Sequence, residues 1–227
     1  GDKDNEGLFT HQLASLLDNL GRKHESLPLY ERSLSLCREL DDRENEATTL
    51  NNIAGVYYAT GDRQKALETY EQALTIRREV GDRAGEATAL NNIGGVYDDL
   101  GQKQKALDYY EQALPMHCEV GNRAMEATTL NNMAAIYNSQ GDYKRGVEIR
   151  RQIIEVAVQI GDIASEALYR ANLAATLEKM GDLDGAIAEM ERAVSLMRER
   201  GLSHSASGET VEQYEAILAR WKRQREG

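Results

Sequence analysis

No apolar run in this 227-residue chain approaches the roughly eighteen residues that a membrane-spanning helix needs, and its N-terminus carries no signal-peptide pattern. Positive charge is in deficit: 27 Lys and Arg stand against 38 Asp and Glu, a formal net charge of −11. Without a basic stripe to neutralise phosphates, nucleic acid is excluded as the expected partner, and an anionic membrane surface is disfavoured for the same reason. The two cysteines fall out of register with one another: Cys37 aligns with Arg77 and His117, and Cys118 with Arg38 and Arg78. Reduced thiols in a cytoplasmic protein are the expectation. His11, His24, His117 and His204 share no column, and no Cys/His cluster has metal-ligand spacing, so neither metal nor cofactor is expected. A phosphate-cradling glycine loop is also missing, because Gly94-Gly95 lies inside a helical pattern. Asp98 and Asp99 are adjacent on a helix, diverge by about 100° and have no partner acid, so catalysis is not expected.

What the chain has instead is a period. GDRAGEATALNNIGGVYDDLGQKQKALDYYEQALPMHCEV, residues 81–120, lands on a copy of itself when moved forty residues in either direction. Gly21, Gly61, Gly101, Gly141 and Gly181 form one series, and Gly81, Gly121, Gly161 and Gly201 another. A fixed period of this size marks stacked supersecondary units. Each unit divides at its central glycine into two segments with helical periodicity. Leu90, Ile93, Gly94 and Tyr97 recur at i, i+3, i+4, i+7, and Ala106, Leu107, Tyr110, Ala113 and Leu114 repeat the pattern in the second half. Asp82 stands where an N-cap belongs, behind a glycine suited to end the preceding helix. The unit is a helix hairpin.

In order and spacing, Leu90, Ile93, Gly94, Tyr97, Gly101, Ala106, Tyr110 and Ala113 resemble the signature of the tetratricopeptide repeat family. The period exceeds that family's usual length of about 34. In this the chain is similar to the long repeats of kinesin light chains and LGN-type adaptors, and GDR-x-x-EA-x-x-LNNI-x-x-VY resembles arrays in multidomain bacterial signalling proteins. The resemblance implies an all-α fold: an α-solenoid, or superhelix, of stacked antiparallel hairpins forming a single array. Small residues at Gly94 and Ala106 would let paired helices approach, and Tyr97 and Tyr110 would fill the space between units.

Five repeats are expected, at about 6–40, 41–80, 81–120, 121–160 and 161–200, with a capping helix at about 209–225. Gly1 to Glu6 reads as a frayed end or a cloning remnant, with the first helix running from Leu8 to Leu20. Pro28 falls inside the following helix and should kink it or delay its start. The fourth repeat drifts in its second helix, where Gly146, Arg150 and Ile153 replace Ala, Tyr and Ala. After the polar stretch GLSHSASG, Val211, Tyr214, Leu218 and Trp221 form one stripe, suited to cover the last hairpin.

A helical wheel places Thr88, Asn92, Gly95 and Asp99 opposite the buried stripe of the third repeat's first helix, with Asn91 and Asp98 beside them. First helices line the concave face in hairpin stacks of this kind, so these residues should look into a groove. The matching columns hold Thr48, Asn52, Gly55 and Ala59; Thr128, Asn132, Ala135 and Ser139; and Leu168, Asn172, Ala175 and Lys179. An amide offers a carbonyl acceptor and two donors, which suits the alternating groups of a peptide backbone. Small residues leave room for it. Asn51/Asn52, Asn91/Asn92, Asn131/Asn132 and Asn172, with Thr88, Thr128, Asp98 and Asp99, are therefore the candidate peptide-binding residues. The asparagines of long-repeat adaptors that hold extended peptides are similar. The alternative is a structural ladder in which each Asn bonds the adjacent helix.

A carboxylate clamp is not expected, since the columns of Asn91, Thr88 and Asn92 carry no Lys or Arg. Asp18, Asp98, Asp99 and Glu178 would favour a neutral or mildly basic ligand. Arg43, Arg83 and Arg123 precede Glu46, Glu86 and Glu126 by three residues on what the wheel makes the buried side, with Glu166 continuing the acidic column alone. Structural ion pairs are expected there. The function expected is a protein-interaction scaffold. The alternatives are a regulatory segment of a larger signalling chain that contacts its other domains, or a self-assembly module.

Overall fold

A computed structural model describes residues 2–226. Eleven helices follow in order: α1 (Asp2–Asn19), α2 (Lys23–Glu39), α3 (Arg43–Thr60), α4 (Arg63–Val80), α5 (Arg83–Asp99), α6 (Lys103–Glu119), α7 (Arg123–Ser139), α8 (Tyr143–Ile160), α9 (Ile163–Met180), α10 (Leu183–Glu199) and α11 (Val211–Glu226). Among the described residues there is no strand beyond an isolated bridge between His204 and Thr210. None of the described helices is long and apolar enough to cross a membrane. The protein is all-α, with consecutive helices paired as hairpins. It divides into two compact units, the first holding α1–α6 and the second α7–α11.

The junction chemistry recurs. Asp42, Asp62, Asp82, Asp142, Asp162 and Asp182 each accept a hydrogen bond from the backbone N–H three residues on, satisfying a donor the helix start leaves free. The residue before the cap is left-handed, with φ 74° at Gly81, so glycine suits it. Asp41 takes the same place at φ 56°, the one non-glycine with positive φ among the described residues.

Packing within the first unit runs hairpin to hairpin. Ile53 and Val56 of α3 pack on Ala14 and Tyr30, and Ala89, Leu90, Ile93 and Val96 of α5 pack on Leu67, Tyr70 and Leu74 of α4. Apolar burial of this kind contributes about 25 cal/mol per Å². Gly94 is fixed by the packing: a Cβ there would lie 2.7 Å from Cε1 of Tyr110. In the second unit Val147 and Ile154 of α8 meet Leu173 and Ala174 of α9, and Met190 and Met197 of α10 meet Tyr214 and Trp221 of α11. Trp221 also donates its indole N–H to Glu178 at 2.5 Å. The last helix thus covers α10, two residues later in start than the sequence suggests.

Four expectations need correction. Helix α1 begins at Asp2, because Lys3 pairs with Glu39 at 2.8 Å and Glu6 with Arg32 at 2.6 Å, anchoring the segment read as a remnant. Gly1, included in that expectation, lies outside the described residues. Pro28 does not delay its helix: α2 starts at Lys23, in register with Arg63 and Lys103, and the proline is exposed. Buried Ser26, Tyr30 and Ser33 hold the turn around it. The Arg/Glu ladder is buried on one side only. Glu46, 5% exposed, takes Arg38 at 2.8 Å and Arg43 at 2.5 Å, while both arginines stay partly in solvent. Glu86 does the same with Arg78 and Arg83. Glu166 is not alone, since Arg170 one turn later pairs with it at 2.7 Å and with Glu189 at 2.9 Å.

Candidate functional site

In the first unit the columns opposite the buried stripes of α3 and α5 are half-exposed: Thr48, Asn52 and Gly55, and Thr88, Asn92 and Gly95. This face lies apart from the buried stripe. It also bonds between hairpins. Asn92 donates from Nδ2 to Oδ1 of Asn51 at 3.1 Å, and Nδ2 of Asn52 lies 3.2 Å from Nε2 of His11, which holds the Asn51 column one repeat earlier. Nδ1 of His11 is 3.1 Å from the Thr49 hydroxyl. With the Asn52 amide as donor, Nε2 must accept and Nδ1 must carry the proton, a tautomer assigned from the network. Burial pushes the His11 pKa below its ordinary 6.5, which favours the same neutral ring.

The flanking column turns inward. Asn91 is 6% exposed, and Asn51 is half-buried with its oxygen engaged by Asn92. Asn92 keeps one amide N–H and its carbonyl oxygen without a partner among the described residues. The Thr48 and Thr88 hydroxyls donate to the carbonyls of Glu44 and Ala84 one turn back, at 3.0 and 2.9 Å; Thr48 also accepts from Arg77 Nη2 at 2.6 Å, whereas Thr88 is left an acceptor.

Gly55 and Gly95 differ from Gly94. A Cβ at either would meet only a tyrosine hydroxyl, Tyr70 at 3.6 Å and Tyr110 at 3.7 Å, which are ordinary contacts. Packing does not require glycine there, although each glycine in a helix interior is unfavourable by up to ~1 kcal/mol relative to alanine. The carboxylates read as groove acidity are all paired: Asp98 with Lys103, Asp18 with Lys23, Asp99 with Arg63 at 3.0 Å, and Glu178 with Arg220 at 3.1 Å. Their charge is offset by neighbours, so they supply little net attraction for a basic ligand.

In the second unit Asn131, Asn132 and Asn172 are half-buried and Thr128 is exposed, its hydroxyl donating to the Ala124 carbonyl at 2.9 Å. Asn131 shares its surroundings with Arg150 of α8, whose Nη1 lies 3.5 Å from Asn131 Oδ1. In the sequence this arginine shows only as drift, a charge in a column that holds Tyr30, Tyr70, Tyr110 and Met190. No group of three His, Cys, Asp or Glu among the described residues could hold a metal. Both faces offer neutral hydrogen-bonding groups beside small residues.

Known proteins bear on this arrangement. The tetratricopeptide repeat model matches residues 8–79, 52–119 and 125–199. No curated protein sequence matches the chain. Among solved structures, BtubC (BKLC) from P. vanneervenii is 26% identical, with a TM-score of 0.78 over 88% of this chain and 84% of its own. A Rap protein solved with competence and sporulation factor is 17% identical, with a TM-score of 0.69 over 99% of this chain and 65% of its own. A signal transduction ATPase with numerous domains from Pyrococcus horikoshii, with a tetratricopeptide repeat sensor, is 16% identical at TM-score 0.83, covering 99% of this chain but 34% of its own.

Proposed function

We propose that this chain, which belongs to the tetratricopeptide repeat family, is an interaction module that holds an extended polypeptide segment against its first-helix faces. The observation that carries this is the contrast between glycines. Gly94 is demanded by the ring beneath it, whereas Gly55 and Gly95 have room for a side chain and lack one. Space on a hydrogen-bonding face is what a peptide backbone needs. Asn52 and Asn92 would contribute amide groups in the first unit, flanked by Thr88, by the inter-hairpin partner Asn51 and by buried Asn91. Asn132 and Asn172, with Asn131 and Thr128, would act alike in the second. Asp98 and Asp99 would border the segment as paired charges, so a neutral stretch read through its backbone fits best. Cys37 and Cys118 form no disulfide, which suits a cytoplasmic setting.

A Rap protein bound to competence and sporulation factor supports such use of the fold. The likeness to the repeat sensor of a much longer signalling ATPase favours one variant, in which the segment belongs to the parent chain itself. The test is selection of peptides from a random display library on the full chain, then affinity measurement on Asn92→Ala and Gly95→Val variants whose helical content is checked by circular dichroism. Peptides that lose at least tenfold on both folded variants support the proposal. Peptides that bind all three proteins equally refute it.

A further inference from the structure

The fourth hairpin and the first helix of the fifth depart from the repeat at four positions that meet in space. Arg150 replaces the tyrosine of Tyr30, Tyr70 and Tyr110, and Thr176 stands where the same column holds Val56, Val96 and Ile136. Gly146 replaces Ala66 and Ala106, and Asn138 fills the column of Tyr58 and Asp98. These changes depend on one another. A Cβ on Gly146 would fall 2.0 Å from Oδ1 of Asn138, so the glycine admits the amide. Nδ2 of Asn138 donates to the Thr176 hydroxyl at 3.0 Å, and the same oxygen accepts from Nε of Arg150 at 3.0 Å. The hydroxyl proton is directed to the Asn172 carbonyl at 2.9 Å. Four coordinated departures set one guanidinium in place.

Arg150 is buried, 8% exposed as a residue, yet no carboxylate of the described residues lies within salt-bridge distance of its guanidinium. Its partners are the neutral oxygens of Thr176 and, at 3.5 Å, Asn131. Buried charges are ordinarily paired, because desolvating an ion is costly. The group nevertheless stays cationic, since arginine does not lose its proton in proteins. Of its five N–H bonds, the two engaged are on Nε and Nη1, which leaves three around the Nη1–Nη2 edge. Nη2 is not fully enclosed, and Nη1 lies against half-buried Asn131. A planar edge with parallel donors matches the two oxygens of an oxyanion.

We propose that the Nη edge of Arg150, framed by Asn131 of α7 and Thr176 of α9, is a binding site for an anionic oxygen group, a carboxylate or a phosphate. It lies wholly in the second unit and does not depend on the glycine and asparagine columns of the first. Oδ1 of Asn138 is enclosed without a partner and faces Gly146, one turn before Arg150. It would disfavour an anion reaching deeper than the Nη edge, so the bound group sits at the rim.

The test uses the full chain labelled with ¹⁵N-arginine. The Nε–H of Arg150, held by Thr176, is assigned by its loss in Arg150→Lys. Sodium acetate and inorganic phosphate are titrated separately at constant ionic strength, with chloride as the control. The expected result is a saturable shift of this signal with one or both oxyanions and none with chloride, together with a rise in unfolding midpoint that is lost in Arg150→Tyr. Acetate alone would point to a carboxylate ligand, and phosphate alone to a phosphorylated one. No saturable shift with either, or the same shift with chloride, overturns the proposal. The wild-type titration decides this even if Arg150→Tyr fails to fold.

Discussion

Replacing Gly55 and Gly95 with alanine should stabilise the first unit while weakening any segment held on its face. Each glycine sits inside a helix, α3 or α5, where alanine is favoured by ~0.5–1 kcal/mol through the smaller entropy lost on folding. The new Cβ meets nothing closer than the Tyr70 hydroxyl at 3.6 Å or the Tyr110 hydroxyl at 3.7 Å, so no packing penalty offsets the gain. Because the positions lie in different hairpins, their effects should add, giving about 1–2 kcal/mol for the pair. With a urea dependence of about 1–3 kcal/mol per M, the midpoint of the transition followed by circular dichroism should rise by roughly 0.5–1 M. Repeat units need not unfold in a single step, so midpoints of the first-unit transition are the quantity to compare. Gly94→Ala is the internal control. Its Cβ would lie 2.7 and 2.9 Å from atoms of a buried tyrosine ring, and overpacking of that kind costs about 1–3 kcal/mol. A fall in midpoint for Gly55→Ala or Gly95→Ala would show that the glycines serve packing, and would remove the observation on which the binding proposal rests.

Two further outcomes follow from the same junctions. His11 is neutral when folded and its pKa is held below 6.5 by burial, so between the folded and unfolded values the unfolded chain binds more protons. Its stabilisation is complete above about pH 6.5 and is lost as pH falls through the folded value; the urea midpoint should therefore drop more steeply on acidification in the wild type than in His11→Asn, and equal pH dependence would refute this role. Asp41→Gly restores the residue of the other junctions at φ 56° and should stabilise by ~0.5–1 kcal/mol, measured as a higher thermal midpoint; no gain would mean that the aspartate side chain compensates its backbone strain.

The fold was open to sequence reading because the period, the caps and the apolar stripes all agree, and a hairpin needs little more. Helix α11 is legible from the stripe of Val211, Tyr214, Leu218 and Trp221. What failed was context. Gly1 to Glu6 looked like dispensable charge, since Lys3 and Glu6 are held by Glu39 and Arg32, more than twenty residues away. Pro28 sits on the exposed face of a helix that still starts at Lys23, so a general penalty for proline does not set where this helix begins. Asp98 and Asp99 were read as free charge because their cations, Lys103 and Arg63, belong to other helices. For the site, the wheel separated the outward column of Asn52 and Asn92 from the stripe of Leu90 and Ile93, but it could not show that Asn91 is enclosed. Arg150 was visible only as a misfit, and its meaning comes from Gly146, Asn138 and Thr176 gathering around it.

Structural and binding uses of the asparagine columns are compatible, and the hydrogen bonds explain how. An unconstrained asparagine would have to give up side-chain freedom on meeting a ligand, an ordering cost of about 0.5–1.5 kcal/mol for each mobile side chain. Asn92 loses that freedom on folding, because its bond to Asn51 fixes which way the amide plane faces. The second N–H and the carbonyl oxygen are then presented without a further ordering cost. Stacking the third hairpin on the second therefore also orients the Asn92 amide. Where the pair is altered the face changes character. His11 stands in for the first Asn and adds a pH-sensitive link to Asn52, and in the second unit Arg150 brings a charge up to Asn131. Within the first unit one inter-hairpin bond thus orients an outward amide, while in the second unit Arg150 gives Asn131 a charged neighbour.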